Sequence, residues 1–410
     1  MTKFIKTIEQ LTDSSQININ LYGKNLIIVG NNGAGKTKFL NILNTALKKI
    51  IIEKNLSTQD GLRKLISQSI KFRDVLAESD PSRITYNNNI KHYNNEIEQI
   101  KKCHVTYTSS NNFEKKVREE SLVYRFFEAY RAFTSSDKNL LKSIDELYST
   151  FEREQLNNIS TSNLFESFLV SMSNYALIEK GAGEVKEFDR VSRIILKIEQ
   201  DLQTLFEDNS LRLNFNRKSL RMEIIQGNRE CIILERLPSG YASVLAVYTE
   251  LVMLSELGRT QKNEIRGIVL IDEIDAHLHV TVQKKVFDFF STSFPGIQFI
   301  ISTHSPFVVQ SVSDAIIYNL STNEQLEDLS AYSYTSIIKG LLGETANSAE
   351  LEKLLKEVDT RSKDNDFGPR FVELVEYLDT NIAVLDPRAK AILMSAKSRH
   401  VDWVEGEDNV

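Results

Sequence analysis

Cysteine is scarce in this sequence: its 410 residues include only two, Cys103 and Cys231, far apart in the chain. Two cysteines at that separation fit neither a disulfide framework nor the paired spacing of a zinc site. No apolar run reaches the roughly 18–20 residues that a membrane helix needs, and the first residues lack the apolar core of a signal peptide. We therefore expect a cytoplasmic protein that does not contact a membrane.

An excess of positive charge is also missing. The 50 Lys and Arg residues are outnumbered by 56 Asp and Glu residues, which gives a formal net charge of −6. This balance argues against a surface coated with basic groups for nucleic acid, although a local basic groove remains compatible with it. We interpret two short basic clusters as solvated surface, with a hairpin that follows a phosphate backbone as the alternative for the first. They are Arg212, Arg217, Lys218 and Arg221, and Lys115, Lys116 and Arg118.

Apolar runs separated by helical patterns predict an α/β fold with a mainly parallel sheet. The runs "KNLIIVG" (24–30), "GIVLIDE" (267–273) and "QFIISTHS" (298–305) are typical of buried strands that end in glycine or polar residues. Antiparallel hairpins are expected within 210–234, where short alternating runs are joined by polar turns.

The domain organisation follows from where these patterns change. We expect a main domain that is discontinuous in sequence, which we call the head, and a mostly helical insertion that contains one core strand. A helical C-terminal region with a polar linker, "DTRSKDND", is expected to follow. The predicted bounds are 1–55 and 205–315 for the head, 56–204 for the insertion, 121–128 for its core strand, 316–410 for the C-terminal region and 359–366 for the linker.

The segment "GNNGAGKT" (30–37) fits the phosphate-binding pattern G-x-x-x-x-G-K-[ST], with an apolar strand before it and a helical pattern from about Lys36 to Lys54 after it. Its glycines allow backbone N–H groups to surround a phosphate, Lys36 supplies positive charge, and the Thr37 hydroxyl can bind Mg²⁺. The predicted nucleotide-binding residues here are Gly30, Asn31, Asn32, Gly33, Ala34, Gly35, Lys36, Thr37 and Lys38.

Two acids end the strand at 267–273. Asp272 is the predicted magnesium carboxylate, and Glu273 is the predicted general base that polarises the attacking water. Asp275 is open to two interpretations, contact with a neighbouring subunit or capping of the next helix. His304, at the end of the following apolar run, is predicted to bind the γ-phosphate and report its presence, because sites of α/β proteins collect at the ends of parallel strands.

The stretch "RLPSGYASVL" (236–245) opens into an amphipathic helix. Ser239 is a good candidate for its N-cap. A helix start also offers free N–H groups and a positive dipole end, so Ser239 and Gly240 can alternatively stabilise charge at a γ-phosphate.

Together these motifs resemble those of the ABC-type ATPases in the group of SMC, RecF and overcoming-lysogenisation-defect proteins. The resemblance covers residues 1–55, about 120–135 and 205–315. It implies an ABC-type P-loop head, a mainly parallel sheet with an antiparallel part, and ATP and Mg²⁺ as ligands. It also implies a homodimer or higher homo-oligomer with composite sites, in which Ser239 and Gly240 of one chain complete the site of the next.

Two departures from the ABC pattern are visible. Tyr241 stands where the signature commonly has glutamine or glutamate. In that group a loop after the third strand, the Q-loop, contacts the metal. The matching segment here, "FFEAYRAF" (126–133), contains Glu128 and Arg131 but no glutamine.

The C-terminal third narrows the function that the resemblance implies. The segment "AYSYTSIIKGLLGETANSAELEKLL" (331–355) resembles the one that follows the histidine in stand-alone defence ATPases of the Septu, retron and PARIS types. Those ATPases act beside a separate effector nuclease of the HNH or Toprim kind, and no nuclease motif is visible in this chain. The expected function is a slow, regulatory ATPase that controls such an effector in bacterial anti-phage defence. The alternatives are a RecF/SMC-like DNA repair ATPase that binds DNA directly, and a scaffold that never hydrolyses its ATP.

Overall fold

The computed structural model describes residues 3–12, 16–131, 133, 140–156, 159–227, 231–311, 314–327, 349–382, 385 and 387–407. The chain forms two compact units, which adjoin in sequence at residues 337 and 338. Across these described ranges, no helix is both long enough and apolar enough to cross a membrane.

The first unit alternates short buried strands with helices, and helices dominate its middle part. Its strands are β1 (Ile5–Leu11), β2 (Gln16–Asn20), β3 (Asn25–Val29), β4 (Cys103–Tyr107), β5 (Val123–Phe127), β6 (Leu211–Asn216), β7 (Arg221–Gln226), β8 (Ile232–Ile233), β9 (Gly267–Ile271), β10 (Ile297–Ser302), β11 (Ala315–Asn319) and β12 (Glu324–Glu327). Its helices are α1 (Lys36–Ile51), α2 (Gln59–Val75), α3 (Ser82–Lys102), α4 (Ser110–Arg118), α5 (Ile144–Leu156), α6 (Leu164–Ala182), α7 (Val185–Phe206), α8 (Ser239–Glu256), α9 (Val280–Gln283), α10 (Val286–Ser293) and α11 (Pro306–Gln310), with a 3-10 turn at Leu234–Arg236.

The central sheet has six strands in the order β12-β11-β3-β10-β9-β5. The five strands from β11 to β5 are parallel, and only β12 pairs in the antiparallel sense. Two further sheets, β2-β1-β4 and β6-β7-β8, are antiparallel. The predicted α/β class, with a mainly parallel sheet and an antiparallel part, is confirmed.

The parallel register brings the carboxyl ends of four strands to one edge of the sheet. Phe127 pairs with Ile271, Ile271 with Ile301, and Ser302 with Ile28. Strands β3, β9 and β10 are buried along their whole length, which is why their sequences read as continuous apolar runs. The loops that follow them therefore meet at the edge where α/β proteins place their sites.

A buried carboxylate, Glu250 of α8, fixes that helix to the sheet and to the helical middle part. It accepts hydrogen bonds from Arg125 Nε of β5 (2.5 Å), the Ser160 hydroxyl (2.8 Å) and the backbone N–H groups of Thr161 (2.6 Å) and Ser162 (2.9 Å). A buried charge is tolerated only when its partners satisfy it in this way. The contact ties α8 to the strand that precedes Arg131.

The prediction of a helical region from residue 316 onward is wrong for its first part. Strands β11 and β12 belong to the central sheet, and β11 pairs with β3 in the middle of it. A five-residue apolar run such as "AIIYN" fits a buried helix as well as a buried strand, so periodicity could not decide between them. Most of the segment 331–355, which carries the resemblance to defence ATPases, lies outside the described residues.

The described residues of the second unit form the helices α12 (Ala349–Lys363), α13 (Pro369–Thr380) and α14 (Pro387–Glu407), around a core that includes Leu355, Phe371 and Leu393. The predicted linker at 359–366 is mostly wrong, because α12 continues to Lys363. Ion pairs between residues one helical turn apart stabilise the helix in this polar stretch. Lys363 lies 2.6 Å from Asp359, and Arg361 lies 3.2 Å from Glu357.

Candidate functional site: a phosphate-binding loop facing two strand-end acids

The loop between β3 and α1 has the backbone shape of an anion cradle. Gly33 and Gly35 have φ values of 80° and 93°, which other residues rarely adopt. A Cβ built on either glycine would meet no atom within 4 Å, so the inside of the loop is open. Helix α1 begins at Lys36 with Gly35 as a left-handed N-cap and no acidic residue in its first turn, so its N–H groups are available to an anion.

Lys36 is 5% exposed and lies across the mouth of this loop. Its Nζ donates to the carbonyl oxygens of Gly30 (2.7 Å) and Asn31 (3.2 Å) and lies 3.4 Å from His304 Nδ1. Burial lowers the pKa of the Lys36 ammonium, and the nearby carboxylates of Glu273, Asp272 and Asp275 oppose that shift. The structure thus brings the predicted lysine, histidine and acids together.

The remaining loop residues surround Lys36 with mixed exposure. Asn31, Asn32, Thr37 and Lys38 are exposed, and Ala34 is half-buried. The Asn31 backbone N–H donates to the Ser321 hydroxyl (2.9 Å), which lies in the turn after β11. Sequence reasoning missed Ser321 because the strand that presents it was not predicted.

The two acids leave the sheet directly after β9, where a serine of β10 holds them. Asp272 is 1% exposed, and its Oδ1 accepts from the Ser302 hydroxyl (2.5 Å). The same hydroxyl accepts from the Glu273 backbone N–H (2.8 Å), where the Glu273 backbone is left-handed with φ 45°. Strained backbone of this kind persists only where its surroundings fix it. Sequence reasoning missed Ser302, although its polarity at the end of an apolar run was a usable signal.

Asp275 does not cap the helix that follows it. Its Oδ1 accepts from the Thr303 hydroxyl (2.5 Å) of the segment after β10. The N-cap of α9 is His279, whose side chain accepts from the Thr281 N–H. The expectation that Asp275 caps the helix is therefore wrong, and contact with a neighbouring subunit stays a prediction.

Arg131, in the segment that matches the Q-loop, lies against the acids' backbone. Its Nη1 donates to the carbonyl oxygens of Asp272 (2.7 Å) and Glu128 (3.0 Å), and its Nη2 donates to those of Glu273 (3.1 Å) and Ile274 (3.3 Å). Burial lowers the pKa of Arg131 to about 10, against the opposing effect of the carboxylates of Asp275, Asp272 and Glu273. The guanidinium therefore remains charged at neutral pH.

The expectation that Ser239 caps its own helix is wrong. Helix α8 begins at Ser239, and the N-cap position belongs to Pro238, so the exposed serine is the first helical residue. A Cβ built on Gly240 would lie 2.3 Å from the His277 carbonyl oxygen, which places the start of α8 directly against the loop that carries the acids. Tyr241, the departure from the signature, packs on Phe206 with ring centroids 4.4 Å apart.

The basic hairpin is partly neutralised. Arg212 of β6 lies 3.8 Å from Glu199, and Arg221 of β7 lies 3.7 Å from the buried Glu166. Charges paired in this way are less available to a phosphate backbone. These pairs favour the interpretation of the hairpin as ordinary surface.

The residues present fit a nucleotide with its magnesium ion. The open glycine loop suits a phosphate, and the Thr37 hydroxyl and Asp272 carboxylate are oxygen donors of the kind that Mg²⁺ prefers. Among the described residues, no cluster of three or more His, Cys, Asp or Glu side chains could hold a metal ion alone.

A comparison with protein families matches residues 26–310 to the family described as "AAA domain, putative AbiEii toxin, Type IV TA system". The match covers more than half of the chain and includes the glycine loop, both strand-end acids and His304. The chain belongs to this family. The resemblance to ATPases that the motifs indicate is confirmed at the level of the family.

Several relatives of this AAA-domain protein carry descriptive names. The "Septu protein PtuA" of Bacillus mycoides (strain KBAB4) is 32% identical over 168 residues, which are 40% of this chain but only 22% of that protein. The "Retron Vc95 probable ATPase" of Vibrio cholerae is 24% identical over 75% of this chain and 69% of that protein. The "Septu protein PtuA" of Bacillus thuringiensis is 24% identical over 62% of each chain.

A comparison with solved structures matches SMC heads at low similarity. The SMC head bound to the C-terminal winged-helix domain of ScpA matches 80% of this AAA-domain chain and 99% of that chain, with 14% identity and a TM-score of 0.38. The SMC head domain from Thermotoga maritima matches with 10% identity and a TM-score of 0.32.

Proposed function

We propose that this chain binds ATP with Mg²⁺ and hydrolyses ATP to ADP and phosphate in a composite site between two head-to-tail copies. Nucleotide occupancy would control assembly, and slow hydrolysis would release it. The observation that carries the proposal is the meeting of Lys36, His304 and the acids at one edge of a parallel sheet. A buried cation beside an open glycine loop is suited to a polyphosphate.

The binding roles follow from the positions of the groups. The N–H groups of the glycine loop and of the α1 start hold the phosphates, and the Lys36 ammonium offsets their charge. Thr37 and Asp272 would hold Mg²⁺, with the Asp272 carboxylate kept in place by Ser302. When bound there, Mg²⁺ would supply positive charge that offsets the negative charge of the phosphates.

The hydrolytic roles fall to Glu273 and His304. The Glu273 carboxylate accepts a proton from the attacking water, and the adjacent left-handed backbone fixes where that carboxylate points. The His304 ring, 3.4 Å from Lys36 Nζ, is within reach of a γ-phosphate held by that lysine.

The second copy contributes the start of α8. Ser239 is exposed at the first turn of an 18-residue helix, so its hydroxyl and the neighbouring N–H groups can face another chain. An anion at such a helix end is stabilised by the helix dipole.

In this proposal the head comprises 1–55 and 205–315 extended by β11 and β12, and 56–204 is an insertion into it.

The biological role that we propose is sensing and control in anti-phage defence. Relatives named Septu PtuA and retron ATPase support it, and a separate effector nuclease of HNH or Toprim type is the expected partner. Those names do not favour the alternative of a DNA repair ATPase.

The test is a pull-down of the tagged chain from its native locus, with ATP and Mg²⁺ present, followed by the mass of the intact complex. We expect an even number of copies of this chain together with a stoichiometric nuclease. The Lys36→Ala variant, which lacks the phosphate-binding ammonium, should yield fewer such complexes. A bare dimer that recovers only DNA would replace the defence role by the repair role.

A further inference from the structure

The segment that carries the two acids continues beyond the end of β9 at Ile271, and its N–H groups are held by the two neighbouring strands. The Asp272 N–H donates to the Phe127 carbonyl of β5 (2.8 Å). Ser302 of β10 holds the next two: the Glu273 N–H donates to the Ser302 hydroxyl (2.8 Å), and the Ile274 N–H donates to the Ser302 carbonyl (3.1 Å). Buried backbone carbonyls have the same need for partners as N–H groups.

On the opposite side, a single guanidinium holds the carbonyl groups of the same segment. Arg131 donates to three consecutive carbonyl oxygens, those of residues 272, 273 and 274, at 2.7, 3.1 and 3.3 Å. It also donates to the Glu128 carbonyl (3.0 Å), which ties the end of β5 to this segment. The segment is therefore held by β5 and β10 through its N–H groups and by Arg131 through its carbonyls.

The chemistry of this contact requires arginine rather than positive charge alone. A planar guanidinium presents several N–H groups in a fixed fork, whereas an ammonium is a compact point charge on a flexible stem. A lysine at position 131 could neutralise the nearby carboxylates, but its N–H donors sit on a single nitrogen and could not reproduce the two positions of Nη1 and Nη2.

We propose that Arg131 is a positioning residue for ATP hydrolysis: its fork fixes the backbone of 272–274 and thereby aims the Glu273 carboxylate, without taking part in nucleotide binding. This inference rests on the proposed ATPase function. Because small displacements of a catalytic group cost large factors in rate, the effect should fall on turnover. Nucleotide affinity, which depends on the glycine loop and Lys36, should remain.

The experiment compares Arg131→Lys and Arg131→Ala with wild type in the full chain. The matched control is Arg266→Lys, because Arg266 also donates to backbone carbonyls, those of Asn263 (2.6 Å) and Ile265 (3.2 Å), at the opposite end of β9. Three quantities are measured: kcat, the dissociation constant for ATP, and hydrogen exchange of the amides in 272–278. Methylguanidinium is then added to the Arg131→Ala variant to replace the missing guanidinium group.

We expect kcat to fall about 10- to 100-fold in both Arg131 variants, while the ATP dissociation constant stays within about twofold. Amide exchange in 272–278 should rise, methylguanidinium should restore part of the Arg131→Ala rate, and Arg266→Lys should match wild type. Full activity of Arg131→Lys, or a parallel loss of ATP binding, would overturn the inference. If wild type itself hydrolyses no ATP, the proposed function fails, and the exchange measurement alone then decides whether Arg131 holds the segment.

Discussion

Replacing Glu273 by glutamine should lower kcat by about 10²- to 10⁴-fold, which is the range that a positioned general base contributes. The amide is nearly the same size as the carboxylate but cannot accept the proton of the attacking water. The Glu273 backbone contacts to Ser302 and Arg131 do not involve its side chain, so the segment should keep its shape. ATP binding, measured as a dissociation constant, should be unchanged, and the ATP-bound complex should accumulate.

The matched control for this variant is Glu264→Gln. Glu264 is exposed and lies just before the amino end of β9, so it has the same chemistry at the other end of the same strand. We expect its steady-state ATPase rate to equal that of wild type. Hydrolysis at the wild-type rate by Glu273→Gln would show that Glu273 is not the general base.

Replacing Gly240 by alanine should reduce turnover at least about tenfold, because a Cβ at 240 would lie 2.3 Å from the His277 carbonyl oxygen. Real Cβ atoms do not approach backbone that closely, so either the start of α8 or the segment that follows the acids must move. Alanine favours a helix over glycine by about 0.5–1 kcal/mol, whereas overpacking costs about 1–3 kcal/mol. The free energy of unfolding should therefore fall rather than rise.

Gly181→Ala is the control for Gly240→Ala. Gly181 lies in α6, and a Cβ there would meet no atom within 4 Å, so this variant should show only the helix gain. Thermal unfolding and kcat of the two variants are compared under the same conditions. If Gly240→Ala is as stable and as active as Gly181→Ala, the close contact between α8 and His277 has no functional consequence.

The parts of the fold that the sequence predicts are those with strong local signals. Strands β3, β9 and β10 are continuous apolar runs that end in glycine or polar residues, and the glycine loop has a pattern of fixed spacing. Strand β11 is equally buried, but its five residues lack a distinguishing period or flanking motif. Its place in the centre of the sheet depends on pairing with β3, 290 residues earlier, which no local pattern encodes.

The candidate site shows the same limit. Residue type and spacing suffice to predict Lys36, Asp272, Glu273 and His304 as neighbours, because parallel strands end at a common edge. They do not predict that Arg131 binds three carbonyls, because backbone carbonyls carry no sequence signal. The prediction that Ser239 caps α8 was also wrong. Pro238 occupies the N-cap position, so the serine lies inside the first turn of the helix.

A composite site shared by two chains can be tested by mixing two inactive variants, Lys36→Ala and Ser239→Arg. In the proposed dimer, the buried Lys36 would contribute to the nucleotide site of its own chain, and the exposed Ser239 would contribute to the site of the partner. A mixed dimer therefore contains one intact site, formed by Lys36 of the Ser239→Arg chain and Ser239 of the Lys36→Ala chain. With random pairing of equal amounts, we predict recovery of about a quarter of the wild-type ATPase rate. If the mixture stays as inactive as the separate variants, or if Ser239→Arg alone hydrolyses ATP at the wild-type rate, the composite site is contradicted.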